Sequence, residues 1–328
     1  MLSLDEQVVN RVCEWLAQGE VCWFCTIAET FGSSPRPVGS LFAVNAKGET
    51  VGSLSGGCIE EDLVERLVGK RRDDGHNQLL EYGVSARENE RLGLPCGGRL
   101  RVLLETLGPG DAAHFHELRQ ALHQRRYIER RAPLTGDSRS LVPVARFAPL
   151  VLKDDELVHT FGPRYRLLLV GAGALSKTLA ELAVAMEYHV VVCDPRPELL
   201  QQWDGPQVQL VGGMPDDAVR AHATDPESIV LTLTHDPRID DMALMEALRH
   251  ELFYVGALGS ERTSRKRRER LLQLDLTPEQ LSRLHAPVGL AIGSKTPMEI
   301  AIAVLAQLTQ LRAAARMSPQ AEACARQP

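Results

Sequence analysis

The run Arg166-Leu-Leu-Leu-Val170-Gly171-Ala-Gly173-Ala-Leu-Ser176 reads as a buried strand, a glycine turn and the first turn of a helix. The helical pattern continues to about Glu187, and a second strand, His189 to Cys193, ends at Asp194. This is a dinucleotide-binding fingerprint. Glycines permit the tight turn and close approach of a pyrophosphate, and an acid about 20 residues on suits a ribose hydroxyl. The third small position holds Ser176 instead of Gly or Ala. Further strands are expected near 208–211, 228–234 and 252–256, and helices near 215–223, 240–250 and 260–273. The alternation predicts a Rossmann-like, doubly wound parallel sheet over residues 164–312.

Thr232-Leu-Thr234-His235-Asp236 closes one of these strands at its carboxyl end, where open α/β sheets bind ligands. His235 there is a candidate acid, base or hydrogen-bond donor, with a loop-capping histidine as the alternative. Arg262, Arg265, Lys266, Arg267, Arg268 and Arg270 give the 260–273 helix a basic surface, read as a solvated face or one that docks an acidic partner. Thr296 suits the N-cap and Pro297 the first turn of a last helix to about Leu311. The glycines and Lys295 ahead of it form a further candidate anion site. Residues 313–328 read as a disordered tail.

Residues 1–160 carry a different, mixed α+β pattern. A helix is expected over 5–18, and strands over 21–29, 40–45 and 49–54. The last strand enters Gly52-Ser-Leu-Ser55-Gly56-Gly57-Cys58-Ile59-Glu60-Glu61, where Ile59, Leu63, Val64, Leu67 and Val68 mark a following helix. Backbone N–H groups at such a turn, with the positive end of a helix dipole, favour an anion. Cys58 falls at the helix start, where a thiolate is stabilised. The stretch therefore offers a soft ligand beside an anion cradle. An ordinary strand–turn–helix with a small buried Cys is the alternative. A second Gly-framed thiol stands at Cys96-Gly97-Gly98. The loop Gly32-Ser33-Ser34-Pro35-Arg36-Pro37 combines hydroxyls and a guanidinium held between prolines, suited to a phosphate or carboxylate. A stiff hairpin loop with a solvated Arg is the competing reading. Residues 111–131 read as a polar helix on which His114 and His116 diverge and His123 stands seven residues from His116, and 132–163 as the end of the domain and a connector.

With 328 residues, 44% hydrophobic and 24% charged, the chain has the composition of a two-domain globular protein. A net charge of −6 argues against general nucleic-acid binding. No apolar run is expected to reach the ~18 residues of a membrane span. The acidic N-terminus lacks an export pattern, so a cytoplasmic location is expected. The seven cysteines do not read as a disulfide framework. Cys22 and Cys25 lie three apart on a strand and should face opposite sides. Cys13, Cys193 and Cys324 read as inert.

The motifs Gly32-Ser-Ser-Pro-Arg36, Ser55-Gly-Gly-Cys-Ile-Glu60, Gly171-Ala-Gly173, Thr234-His-Asp-Pro237, Tyr254-Val-Gly-Ala-Leu-Gly-Ser260 and Gly293-Ser-Lys-Thr-Pro297 resemble, in order, those of the XdhC/CoxI family. These are accessory proteins of molybdenum hydroxylases, and the likeness spans residues 5–312. It implies an XdhC/CoxI-type cofactor-handling domain before the Rossmann-like one. It also implies a chaperone without turnover chemistry that binds the molybdenum cofactor, protects it during sulfuration and inserts it into an apo-hydroxylase. The client would be of xanthine dehydrogenase or CO dehydrogenase type. A cysteine desulfurase and cofactor-biosynthesis proteins are further candidate partners, and a homodimer is a candidate assembly. Carried over by position, Cys58 in the Gly56-Gly57-Cys58 match is the implied molybdenum or cofactor ligand, with Ser33, Ser34 and Arg36 near the pterin phosphate; Cys96 is a further candidate whose convergence on Cys58 the sequence leaves open. The cofactor could be molybdopterin itself or a nucleotide-modified form. The family commonly has a His directly after Gly-x-Gly, where this chain has Ala174. The competing enzyme reading is an NAD(P)-linked oxidoreductase using Gly171, Gly173, Asp194 and His235. A third is a redox sensor linking Cys58 and Cys96.

Overall fold

The computed structural model describes residues 2–32, 34, 36–68, 76–84, 99–136 and 138–316. Two compact units divide the chain, Leu2–Pro163 and the residues from Arg164 onward.

In the first unit, α1 (Leu4–Ala17) starts at a capping box in which Ser3 and Glu6 satisfy each other's backbone N–H groups. Strand β1 (Cys22–Phe31) is followed by β2 (Leu41–Asn45), β3 (Thr50–Gly52), α2 (Cys58–Val68), β4 (Gln78–Tyr82) and β5 (Arg99–Leu107). These strands form an antiparallel sheet in the order β3-β2-β1-β5-β4. Alternate residues of β1 serve two cores. Cys22 and Phe24 pack with Val8, Val12 and Phe115, whereas Trp23, Cys25 and Ile27 pack with Ile59, Leu63 and Leu67 of α2. The C-x-x-C thiols therefore lie in separate cores, as their spacing predicts.

Two expectations fail in the next segment. Helix α3 (Ala112–His123) stops well before 131, because Arg125 turns into the left-handed region at φ 55° and β6 (Tyr127–Pro133) begins. The expected connector contributes β7 (Ser140–Val144), β8 (Val151–Leu152) and β9 (Glu156–Phe161) to an antiparallel sheet of order β7-β6-β9-β8. Arg130 in β6 faces inward, and its guanidinium grips the buried Glu105 through two 2.8 Å bonds. Burial alone would raise the Glu105 pKa. Arg130 and Arg139 outweigh it and hold the carboxyl below its ordinary range. His114 accepts from Arg130, while His116 meets Arg119 and Gln120.

The second unit contains β10 (Arg166–Val170), α4 (Ala174–Ala185), β11 (His189–Asp194), α5 (Pro197–Gln201), β12 (Gln209–Gly212), α6 (Pro215–His222) and β13 (Ser228–Thr232). It continues through α7 (Pro237–Ala247), β14 (Tyr254–Ala257), α8 (Glu261–Gln273), α9 (Pro278–Ser282), β15 (Leu284–His285) and α10 (Pro297–Arg316). All pairings in the sheet are parallel, in the order β12-β11-β10-β13-β14-β15. Chain direction across the sheet reverses between β10 and β13, the place where such sheets open a ligand crevice. Apolar cores cover both faces, which explains the unbroken hydrophobic runs of its strands.

Three readings of this unit need correction. The basic helix α8 is not simply a solvated face. Arg267 is buried against Asp240, Arg270 binds Asp241, and Arg268 donates to the carbonyls of Leu281 and Leu284. Helix α10 runs to Arg316, past the expected end at Leu311, and the remainder of the expected tail with Cys324 lies outside the described residues. Its stretch Pro297–Ala315 is, by length and composition alone, long and apolar enough to cross a membrane. One side of it packs Ala301, Val304, Leu305 and Leu308 into the core with Leu167, Leu169 and Val192.

Gly52, where the β3 edge leaves the sheet, has φ +91°, and an added Cβ would fall 2.2 Å from the Leu41 carbonyl oxygen. Gly52→Ala should therefore destabilise the first unit by about 2 kcal/mol or more, read as a lower urea midpoint in equilibrium unfolding.

Candidate functional site

The turn between β3 and α2 is built as expected, but its anion cradle is already filled. The Glu60 carboxylate accepts from the N–H groups of Leu54, Ser55, Gly56 and Gly57 at 2.7, 2.9, 3.1 and 3.1 Å. It also accepts from the Ser53 hydroxyl at 2.9 Å and from that of Ser55. Burial would raise the Glu60 pKa, yet the Ser55 hydroxyl and the backbone N–H groups outweigh it and hold the group at about 2. The expectation that this turn receives a ligand's phosphate is thus corrected, since a side chain of the same turn already satisfies its donors. Sequence spacing alone does not single out Glu60. Its place three residues after Gly57, the residue before α2, is the local signal for an acid that folds back onto a helix start.

The half of the reading that concerns sulfur fares differently. Cys58 is exposed at the first residue of α2. Gly56 and Gly57, at φ +93° and +153°, leave open space where side chains would stand. Among the described residues no three His, Cys, Asp or Glu side chains gather as a metal-binding set. Ser34 turns its hydroxyl to the Arg36 carbonyl at 2.7 Å, while the Arg36 side chain is exposed. No hydrogen bond joins either residue to the 53–60 turn among the described residues. Ser33 and Cys96 lie outside the described residues.

The second unit holds a cleft of about 950 Å³ at the carboxyl ends of β10 and β13, lined by Gly171, Gly173, Ser176, Arg196, His235 and Lys295 among others. Gly171 is required there. At φ +112° an added Cβ would lie 2.9 Å from the Thr234 methyl. Gly173 begins α4 with open space before it and no side-chain cap. The His235 side chain is exposed on a loop held from beneath. Thr234 donates its hydroxyl to Asp240 at 2.7 Å, and Arg267 grips the other oxygen of Asp240 at 2.9 Å.

Asp194 occupies the fingerprint's acidic position but is not open to a ribose. It is fully buried and accepts from the Ala172 N–H at 2.8 Å, from the Arg196 N–H, and from both arms of the Arg196 guanidinium at 2.8 and 2.9 Å. Burial would raise its pKa, and these donors bring it below the ordinary value. The cleft thus combines glycines, cations and a histidine with its acid withdrawn. Lys295, placed by the sequence ahead of the last helix, comes to the same cleft as Gly171 and Gly173. The backbone donors beside it do not, because Glu299 accepts from the N–H groups of Lys295 and Thr296.

Comparison with known proteins assigns both units. Residues 15–83 match the model of the XdhC and CoxI family, and residues 167–308 match that of the XdhC Rossmann domain. The chain belongs to the XdhC and CoxI family. It is 27% identical to a probable xanthine dehydrogenase subunit of Bacillus subtilis over 90% of this chain and 95% of that protein. It is 26% identical to the molybdenum cofactor insertion chaperone PaoD of Escherichia coli, over 95% of this chain and 90% of the relative. A crystal structure described as a xanthine dehydrogenase from Bacillus halodurans superposes with a TM-score of 0.76 and 28% identity, covering 95% and 98% of the two chains. In this family member the glycines around Cys58 and those beside β10 belong to separate units.

The Glu60 bonds carry a pH signature. Its folded pKa lies below the ordinary carboxylate value of 4.5, so the stability it confers is present above that value and is lost as pH falls toward about 2. Glu60→Gln should cost about 1–3 kcal/mol at neutral pH, allowing for the water that screens this half-buried group, and the gap should close in acid. Urea unfolding of both proteins across that range is the measurement.

Proposed function

We propose that this protein carries the molybdenum cofactor and inserts it into a molybdenum hydroxylase of the xanthine dehydrogenase type, with the Cys58 sulfur as its contact to the metal centre. The maturation role follows from the relatives, one named as a molybdenum cofactor insertion chaperone and another as a xanthine dehydrogenase subunit. The observation that carries the residue assignment is the exposure of Cys58 at the head of a helix whose entry turn is fixed by Glu60.

A carrier must bind and release. One soft thiolate suits a sulfur-rich metal centre, and a single protein ligand is easier to exchange than a closed set of three or four. Exposure lets a partner reach the centre without unfolding the carrier. The exposed guanidinium of Arg36, in the same unit, is offered to the pterin phosphate, since the amides of the 53–57 turn are engaged. Protection during sulfuration, a cysteine desulfurase as sulfur donor and assembly as a homodimer belong to this same reading.

Incubation of the purified chain with molybdenum cofactor, followed by desalting and metal analysis, tests the assignment. Cys58→Ser should retain about tenfold less molybdenum and activate an apo-hydroxylase correspondingly less, because a hydroxyl is a poor soft ligand. Retention equal to that of the unaltered chain would remove Cys58 from the role.

A further inference from the structure

We infer that Phe31, at the outer end of β1, is a stacking platform for the planar pterin ring of the carried group, with the Arg99 guanidinium of the neighbouring strand holding the phenylalanine in place. The inference deepens the carrier reading and rests on it for the identity of the group, but it uses neither Cys58 nor a metal.

A β-bulge carries the argument. Trp23, Cys25 and Ile27 of β1 pack against α2, and strict alternation would send Glu29 and Phe31 into the same core. The pairing of β1 with β5 shifts between Ile27 and Glu29, so that Glu29 stands opposite Arg101 and Phe31 opposite Arg99. Leu100 and Val102 belong to the α2 core, so Arg99 and Arg101 alternate onto the other face, and the bulge delivers Phe31 there with them. The Phe31 ring is 49% exposed, more than any other phenylalanine among the described residues. Packing it against α2 would have stabilised the unit, and the outward turn forgoes that gain. Bulges that re-aim a side chain in this way recur beside binding sites. The place fits as well. Phe31 leads straight into the segment that carries Arg36, and β1 and β3 both run antiparallel to β2, so Phe31 and the turn that presents Cys58 leave the same end of the sheet.

The groups around the ring define the class of ligand. The Arg99 guanidinium lies over the ring, 5.7 Å from its centroid, and reaches Glu81 at 3.7 Å. Arg101 binds Glu29 at 2.8 Å and meets Glu81 at 3.3 Å. Phe31 is therefore an apolar face rimmed by ions. An alkyl chain laid on it would strip water from those ions and return no hydrogen bonds. A planar nitrogen heterocycle is apolar on its faces and polar along its edge, so it covers the phenylalanine while its edge still meets charged groups and water. A pterin has this shape. Nucleobases share it, and stacking on an aromatic side chain is how proteins hold them without reading their edges.

Equilibrium dialysis of the full chain against neopterin, a pterin that carries neither metal nor phosphate, together with proton NMR of the bound ligand, tests the platform. Saturable binding is expected, with the pterin ring proton shifted upfield by the phenylalanine ring current. Phe31→Leu keeps the apolar bulk but removes the aromatic ring. It should weaken binding by about tenfold and abolish the upfield shift, with the thermal midpoint unchanged. Phe31→Trp should retain both binding and shift, and adenosine should bind more weakly than neopterin. No saturable binding at millimolar concentration, unchanged affinity in Phe31→Leu, an equal loss in Phe31→Trp, or adenosine bound as tightly as neopterin overturns the inference. Neopterin offers no metal for Cys58 to hold, so neopterin binding by Phe31→Leu and molybdenum retention by Cys58→Ser are read independently and the two readings fail separately.

Discussion

The donors at a helix entry must be satisfied, and in the turn before α2 the Glu60 carboxylate satisfies six of them at once, four N–H groups and two hydroxyls. Much of the first unit's candidate site follows from that closure. The turn needs no ligand to hold its shape, so Cys58 is presented on a backbone already fixed. The closure also divides the labour of the molecule. An anion-binding helix start is self-occupied in the first unit, whereas α4 in the second is left uncapped.

The second unit was largely legible from sequence because its strands are buried on both faces and its glycines have local reasons to be glycine. The strands and helices predicted over 164–312 appear near their expected places. What escaped prediction were partners distant in sequence. The arginines of α8 look solvated until Asp240 and Asp241, nearly thirty residues earlier, arrive beside them. The first unit was less legible for the same reason. Tyr127-Ile-Glu-Arg130-Arg131 carries so much charge that its inward alternation is hidden, and Glu105 on β5, with His114, makes a buried Arg130 tolerable.

The candidate sites divide along similar lines. The position of Cys58 followed from spacing, but the occupant of its turn did not, although Glu60 stood at the right distance to be suspected. Asp194 sat where the fingerprint puts it and was then withdrawn by Arg196, two residues on, an interaction no periodicity reports. Ser176 departs from the Gly or Ala usual at its position and is buried.

Of the five cysteines described, four are buried and Cys58 alone is exposed. Burial pushes the Cys22 and Cys193 thiols up, to about 12 and about 11, and raises that of Cys13 as well. These three keep their protons at physiological pH and are sealed from reagents, so among the described cysteines alkylators, peroxide or a persulfide donor would encounter a single chemical address. Selectivity of modification is thereby written into the packing, with no need for a recognition sequence around the reactive atom.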